Sequence, residues 1–405
     1  MSNEFNDFDH FMDPSNADQT PEVRDEFPDP QPAFRCAVVG VGQGGGNIAA
    51  QFHHVGYRRV LAINTATADL DAIKEPILKL ALDKRGVGKD REFARNLVVT
   101  KASKIRSAMN GAFGEDDEKV IVCMSLGGGT GSGGGPEIVR MAQERVRERG
   151  GNPNRDVIVI AVLPEPVTDG PRQCFNAMKA YGEIEQLNVP RLYVDNAKLR
   201  KVIKTTFGNH WPPLNHWIVK TFHKFNAFAT RESEHTVCDC RDLDDVISRG
   251  RFIFSAFRVN DLSQKHTIGG IMGDHLEKSL FARVNLSTAK AAACMIILNR
   301  SAVANRSMDD IAPAFTELNS LMMPNSTLHK GIYLVDLQPA PDRTPPPDLF
   351  CYVMLGGLDH PLDSLNPIFE KARSHSPEYG TLSAFLVSEM NDSCAGSAVS
   401  PVASR

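Results

Sequence analysis

The sequence predicts an α/β fold: a parallel sheet covered by helices on both faces, then a long connecting helix, then a smaller α+β domain. Three observations carry this. Over the first half of the chain, short apolar runs rich in Val and Ile alternate with turns and helical patterns, the signature of strands buried on both faces. After Asn209 one long segment repeats Leu214, Ile218, Phe222 and Phe225 at helical spacing. Beyond it, further strand-like and helical runs occupy enough chain for a second core.

Residues 1–33 set nine acids against the single Arg24, interleaved with prolines. Such a segment buries too little apolar surface to offset its ordering entropy and reads as a disordered tail. The sheet strands follow as "FRCAVVG", "RRVLAIN", "EKVIVCMS", "RDVIVIAVL" and "PRLYVDN", giving a first domain over 34–208. The segment "WPPLNHWIVKTFHKFNAFATRE" supplies the connecting helix, within a linking region over 209–251. The second domain, 252–390, takes "RFIFSAFRV", "AAACMIILN", "KGIYLVDL" and "LFCYVMLGG" as strands and "SMDDIAPAFTELNSLM" as a helix, with "PAPDRTPPPD" a proline-stiffened loop. The last stretch, 391–405, is small and polar and reads as a second tail.

Composition narrows the function classes. The chain has 405 residues, 42% of them hydrophobic, and a net charge of −4, which gives no reason to expect direct nucleic-acid binding. No apolar run is long enough to span a bilayer, and the acidic N-terminus lacks an export signal, so a cytoplasmic location is expected. Cys36, Cys123, Cys174, Cys294 and Cys351 stand singly in apolar stretches, as buried thiols do. Cys238 and Cys240 come closer, but no second Cys or His pair stands at ligand spacing, and no side chain is assigned as a metal ligand.

Two glycine-rich loops follow two different strands. "VVGVGQGGGNIAAQF" and "SLGGGTGSGGGP" each run from a strand into a helix, the second with Pro136 suited to the first helical turn. Backbone amides at a helix N-terminus favour an anion. Two such concavities at one sheet edge fit a triphosphate better than a single phosphate. Gly40-x-Gly42-x-x-Gly45 also matches the dinucleotide fingerprint of a nicotinamide oxidoreductase. That rival expects an acid at the end of the second strand, where Asn64 and Thr65 stand, and leaves the second loop unexplained. No GxxxxGK[ST] occurs, so a conventional P-loop is excluded.

On these loops the chain resembles the tubulin/FtsZ family of GTPases. "GGGTGSG", spanning Gly127, Gly128, Gly129, Thr130, Gly131, Ser132 and Gly133, is similar to that family's signature loop. The first loop, with Gly42, Gln43, Gly44, Gly45 and Asn47, matches too; tubulins carry glutamine at the Gln43 position, near the metal and phosphates. "INTATADL" resembles the second nucleotide loop and contributes Asn64. "KRGVGKD" resembles the γ-phosphate-sensing loop, with Lys89 and Asp90 replacing small residues. "LPEPVTDGPRQCFNAM" is similar to the ribose-contacting loop, bringing Asp169 and Arg172. "YVDNAKL" and "PLNHWIV" place Asn196 and Asn215 as the guanine-reading asparagines. An amide side chain offers a donor and an acceptor together, which suits guanine's mixed edge. The similarity covers roughly residues 34 to 250 well and the second domain loosely.

Hydrolysis needs a group that orients water, and the glycine loops supply only amides. The candidates are acids in "CDCRDLDDVISRG": a helix beginning near Asp242 puts Asp242 and Asp245 one turn apart on one face. An acid-capped helix start is the plainer reading of the same spacing. In the resembled family this segment is the synergy loop, which completes the adjacent subunit's site; Asp242 and Asp245 match its two acids, Cys240 replaces its asparagine, and Asp244 could compete. The resemblance therefore implies GTP and GDP as ligands, Mg2+ bridging the β- and γ-phosphates, and a head-to-tail homopolymer as the catalytic state, with any adaptors unidentified. A nucleotide-binding protein of the same fold that neither assembles nor turns over is the alternative. "SAVSPVASR" lacks an amphipathic membrane-adaptor peptide, so cell division stands beside DNA partition and other cytoskeletal tasks.

Overall fold

The computed structural model describes residues 32–198, 211–262, 268–279, 281–304, 311–336, 346–375 and 380–391. The acidic segment before residue 32, the C-terminal segment after 391 and most of the proline-rich insert lie outside the described residues.

The first half builds β1 Cys36–Val41, α1 Gly42–Val55, β2 Val60–Asn64, α2 Thr67–Ala72 and β3 Leu78–Ala81. It continues with α3 Arg91–Thr100, α4 Ala102–Ala112, β4 Lys119–Ser125, a π turn at Thr130–Gly134, α5 Gly135–Glu148, β5 Val157–Leu163, α6 Pro171–Gln186 and β6 Arg191–Asp195. The strands form one parallel six-stranded sheet in the order β3-β2-β1-β4-β5-β6, with Val38 opposite Val60 on one side and Ile121 on the other. Five of these strands coincide with the apolar runs of the sequence. The edge strand β3 has no such run: its four residues, Leu-Lys-Leu-Ala, include only one that is buried, because an edge strand is covered on fewer sides.

Helix α7 Trp211–Phe228 follows, then α8 Cys240–Ser248, β7 Phe252–Val259, α9 Ile268–Glu277, β8 Ala291–Asn299, α10 Arg300–Val303, α11 Ala312–Leu321, β9 Thr327–Val335 and β10 Leu349–Gly356. The second sheet runs β7-β10-β8-β9, with β10 antiparallel to both neighbours and β9 parallel to β8 on the edge. Leu214, Ile218, Phe222 and Phe225 are all buried, as their spacing requires. On one side of α7, Phe222 meets Phe52 of α1 at 6.0 Å; on the other, Phe225 meets Phe254 and Tyr352 of the second sheet. One apolar core therefore runs from the first sheet through α7 into the second. Burying long helical side chains on two faces is what makes this helix a spine rather than a surface element.

The chain then returns to its beginning. Helices α12 Leu362–Arg373 and α13 Leu382–Asn391 contribute Leu365, Phe369 and Phe385 to the core on the opposite face of the six-stranded sheet, against α6. Lys371 donates to the Pro166 carbonyl at 2.8 Å, and the Phe175 and His375 rings meet at 5.2 Å. The sequence groups these helices with the second domain because they follow it. Their apolar faces instead pack on the first.

Candidate functional site

The glycine loops stand at the carboxyl ends of β1 and β4, neighbours in the sheet. β1 passes directly into α1 through Gly42, whose φ of +73° suits glycine. A Cβ on Gly45 would lie 2.2 Å from the Cys123 carbonyl oxygen, and one on Gly131 would lie 2.2 Å from that of Ser125. The seven glycines of "SLGGGTGSGGGP" are thus partly a packing requirement: side chains would push both loops off β4. Gln43 and Asn47, one turn apart on α1, point to solvent, while Gly127, Gly129, Thr130 and Ser132 are buried and Gly44 and Gly128 half-buried.

Polar side chains knit the loops together. The Thr65 and Thr130 hydroxyls share a hydrogen bond of 2.7 Å. Asn64 is 2% exposed; its Oδ1 accepts from the Thr65 and Ala66 amides and from Thr130, and its Nδ2 donates to Asp69. This side chain shapes the turn after β2 and has little left to offer a ligand. Ser132 donates to the carbonyls of Gly128 and Gly129, closing the turn that enters α5.

The loop carrying Lys89 and Asp90 is held to the start of α6. Lys89 has a φ of +66° and its Nζ donates to Gln173 Oε1 at 2.9 Å, while Asn176 donates to the Lys89 carbonyl. Asp90 caps α3 by accepting from the Phe93 amide and lies 3.7 Å from Arg172. The two residues that depart from the family pattern are therefore a latch and a helix cap, and the cap was legible as an Asp ahead of "REFARNLVV". Asp169 closes its own loop, accepting from the Glu165 amide at 2.8 Å and from Gln173. Asp195, at the end of β6, accepts from the Ala197 amide and from Ser364 Oγ of α12 at 2.6 Å. Next to it, Asn196 Oδ1 is buried and finds no hydrogen-bond partner among the described residues. Asn215 sits half-buried near the start of α7, the helix that packs on α1.

The acids lie at the other end of the sheet. Helix α8 starts at Cys240, two residues earlier than its pattern suggests, because Asp239 caps it: Asp239 accepts from the Arg241 and Asp242 amides, and Asp242 accepts from the Asp239 amide in return. Cys238 is buried and Cys240 exposed. Asp244 turns to the first sheet, 2.5 Å from Lys119 Nζ at the amino end of β4 and 3.4 Å from Arg155. Lys119 also bonds Asp156 at 2.8 Å. Burial alone would raise the Asp156 carboxyl, but its hydrogen bonds to Arg155 and Lys119 hold it below the usual range. Asp244 is thereby committed to the body of the protein. Asp242 and Asp245 face the second sheet, where His329 of β9 stands 2.7 Å from one and 3.1 Å from the other; Arg249 also donates to Asp245. Neither Lys119 nor His329 carries a signal in its local sequence; their partners are distant in the chain.

Comparison with known proteins bears on the fold and on the first half of the chain. Residues 35–204 match the Tubulin/FtsZ family, GTPase domain. The chain is 32% identical over 117 residues to the tubulin-like protein CetZ2 of Haloferax volcanii, covering 26% of this chain and 32% of that one. It is 24% identical over 270 residues to the tubulin-like protein CetZ of Pyrococcus abyssi, covering 63% and 70%. Among solved structures, a GTPγS-form protofilament of TubZ from Bacillus thuringiensis serovar israelensis superposes with a TM-score of 0.71 at 17% identity, over 89% of this chain and 94% of that one. These matches set aside the nicotinamide-enzyme alternative. Over residues 35–204 the chain is similar to the GTPase domain of the Tubulin/FtsZ family, and a second, smaller sheet continues it within a fold that matches that family's.

Proposed function

We propose that this protein binds GTP, assembles head to tail with copies of itself and hydrolyses the nucleotide at the contact between two subunits, as a cytoskeletal filament serving cell division or the positioning of DNA or organelles. One observation carries the reading: glycine loops and candidate acids occupy opposite ends of the same sheet. β4 begins at Lys119, which holds α8 through Asp244, and ends at Ser125, where the signature loop starts. Its seven residues span about 20 Å at ~3.3 Å per residue. Asp242 and Asp245 are therefore far from their own chain's loops and become useful only to a neighbour. A heterologous contact of this kind grows filaments when its rotation does not close.

In this reading the amides of Gly42, Gly44, Gly45, Gly127, Gly128, Gly129 and Gly131 hold the phosphates, with Gln43, Asn47, Thr130 and Ser132 beside them and Asn64 fixing the turn. Asp169 and Arg172 lie toward the ribose, and Asn196 and Asn215 read guanine. The unpartnered buried Asn196 Oδ1 fits that role, since a buried acceptor without a donor is costly. A bound Mg2+ would neutralise phosphate charge. Among the described residues no cluster of three acidic, His or Cys side chains is placed to hold it, so phosphate oxygens and water would supply most of its ligands.

A second reading, a nucleotide-binding protein that does not assemble, is favoured by one feature: Asp242 and Asp245 each have both oxygens in contact with polar groups of their own chain. GTP turnover per molecule measured across protein concentration separates the two. A steep rise with concentration supports assembly-dependent hydrolysis; a flat or absent rate supports the second reading. Electron microscopy with GTP and with GDP completes the test, with filaments expected in the first and few in the second.

A further inference from the structure

We infer that His329 is a positioning residue that fixes Asp242 and Asp245 as a pair before a second subunit arrives. The inference rests on the assembly-dependent hydrolysis proposed above. His329 lies on β9, the edge strand of the second sheet. Its Nδ1 is 2.7 Å from Asp242 Oδ1 and its Nε2 is 3.1 Å from Asp245 Oδ2. Two carboxylates one helical turn apart repel each other. A ring wedged between them fixes where each can sit: the neutral ring donates from one nitrogen to one acid, and only a ring protonated on both nitrogens donates to both.

The strand that carries the ring is itself fastened to the segment leading into α8. Ile332 donates to the Thr236 carbonyl at 2.8 Å, and the Cys238 amide donates to the Tyr333 hydroxyl at 3.2 Å. The second sheet therefore presents His329 to the two acids in a fixed register. Among the described residues, the other groups that bond the two carboxylates belong to α8 and its cap, with the Tyr333 hydroxyl and Cys238 close enough to feel the charge of Asp242. Asp242 returns a bond to the Asp239 amide, and Asp245 pairs with Arg249, whose side chain is 42% exposed. Without the ring, what holds Asp245 among the described residues is this exposed i,i+4 pair, which restrains weakly. Displaced carboxylates lower the rate of a positioned reaction without weakening nucleotide binding at the far pole.

The test compares wild type, His329→Ala, His329→Gln and Asp245→Asn. Filament mass is read by sedimentation with GTP, and phosphate release is measured per sedimented subunit over a range of GTP concentrations. His329→Ala is expected to assemble at the wild-type GTP requirement, with kcat lowered by about 10- to 100-fold and KM unchanged. His329→Gln, which keeps a donor toward one acid, should fall between. Turnover that is unchanged or faster in both His329 variants overturns the proposal. So does loss of assembly by both, since the residue would then serve the contact itself. If Asp245→Asn hydrolyses like wild type, the assembly-dependent reading fails first and this proposal falls with it.

Discussion

Lys119 Nζ bonds Asp244 of α8 at 2.5 Å and Asp156 at 2.8 Å, with its side chain only 3% exposed. One buried ammonium thus joins the amino end of β4, the approach to β5 and the helix that carries Asp242 and Asp245. Lys119→Met removes the cation and leaves two carboxylates sharing Arg155 alone. The expected loss is about 3 kcal/mol, the lower end for an uncompensated buried charge, measured by urea unfolding.

Asp245→Asn keeps the shape of the side chain and removes its charge. On the proposed function, filaments of this variant formed with GTP should outlast those expected of wild type under electron microscopy, and phosphate release should fall by at least about 10-fold. Rapid disassembly with undiminished release would contradict the role proposed for Asp245.

Gly131→Ala places a Cβ against the Ser125 carbonyl oxygen at 2.2 Å. The signature loop must move off β4 to admit it. GTP affinity, read by titration with a fluorescent GTP analogue, should drop by about 10-fold or more, since the loop's amides lose their fixed directions.

The Glu185 carboxylate, 2% exposed, accepts from Arg191 and Arg251 and from the Tyr193 hydroxyl at 2.9 Å. Burial would raise its pKa, but Arg191 and Arg251 hold it below the ordinary value. Arg191 and Arg251 bridge β6 to the start of the second sheet. Glu185→Gln leaves two buried guanidiniums without a counter-ion and is expected to cost about 3–5 kcal/mol in chemical denaturation.

His275 of α9 stacks on Phe257, ring centroids 4.8 Å apart, and burial together with Lys278 pushes its pKa down to about 4 from 6.5. Above pH 6.5 both folded and unfolded chains hold it neutral. As pH falls from 6.5 toward 4, the unfolded chain takes up a proton that the folded one refuses, so stability declines. His275→Leu should flatten this part of the Tm-against-pH curve relative to wild type.

The sheet was legible because strands buried on both faces need unbroken apolar runs, and five of six strands in the first sheet show them. The fourfold repeat from Leu214 to Phe225 announced α7 for the same reason: periodicity records which side faces a core. β3 was not legible, since a short edge strand with Lys79 at its centre buries too little to impose a pattern. The glycine loops declared themselves through composition, because glycine is costly wherever a side chain would serve.

The chain alone therefore determined its alternating strands and helices, its spine, and the two loops at which glycine is obligatory. Only the tertiary structure decided that Asp244 belongs to Lys119, that Asp242 and Asp245 belong to His329, and that α12 and α13 close back on α6. Burial leaves a local imprint in sequence, because each residue answers to its own surroundings. A polar pair separated by 84 or 125 residues leaves none, since either partner alone looks like any other polar surface residue until folding brings the two together.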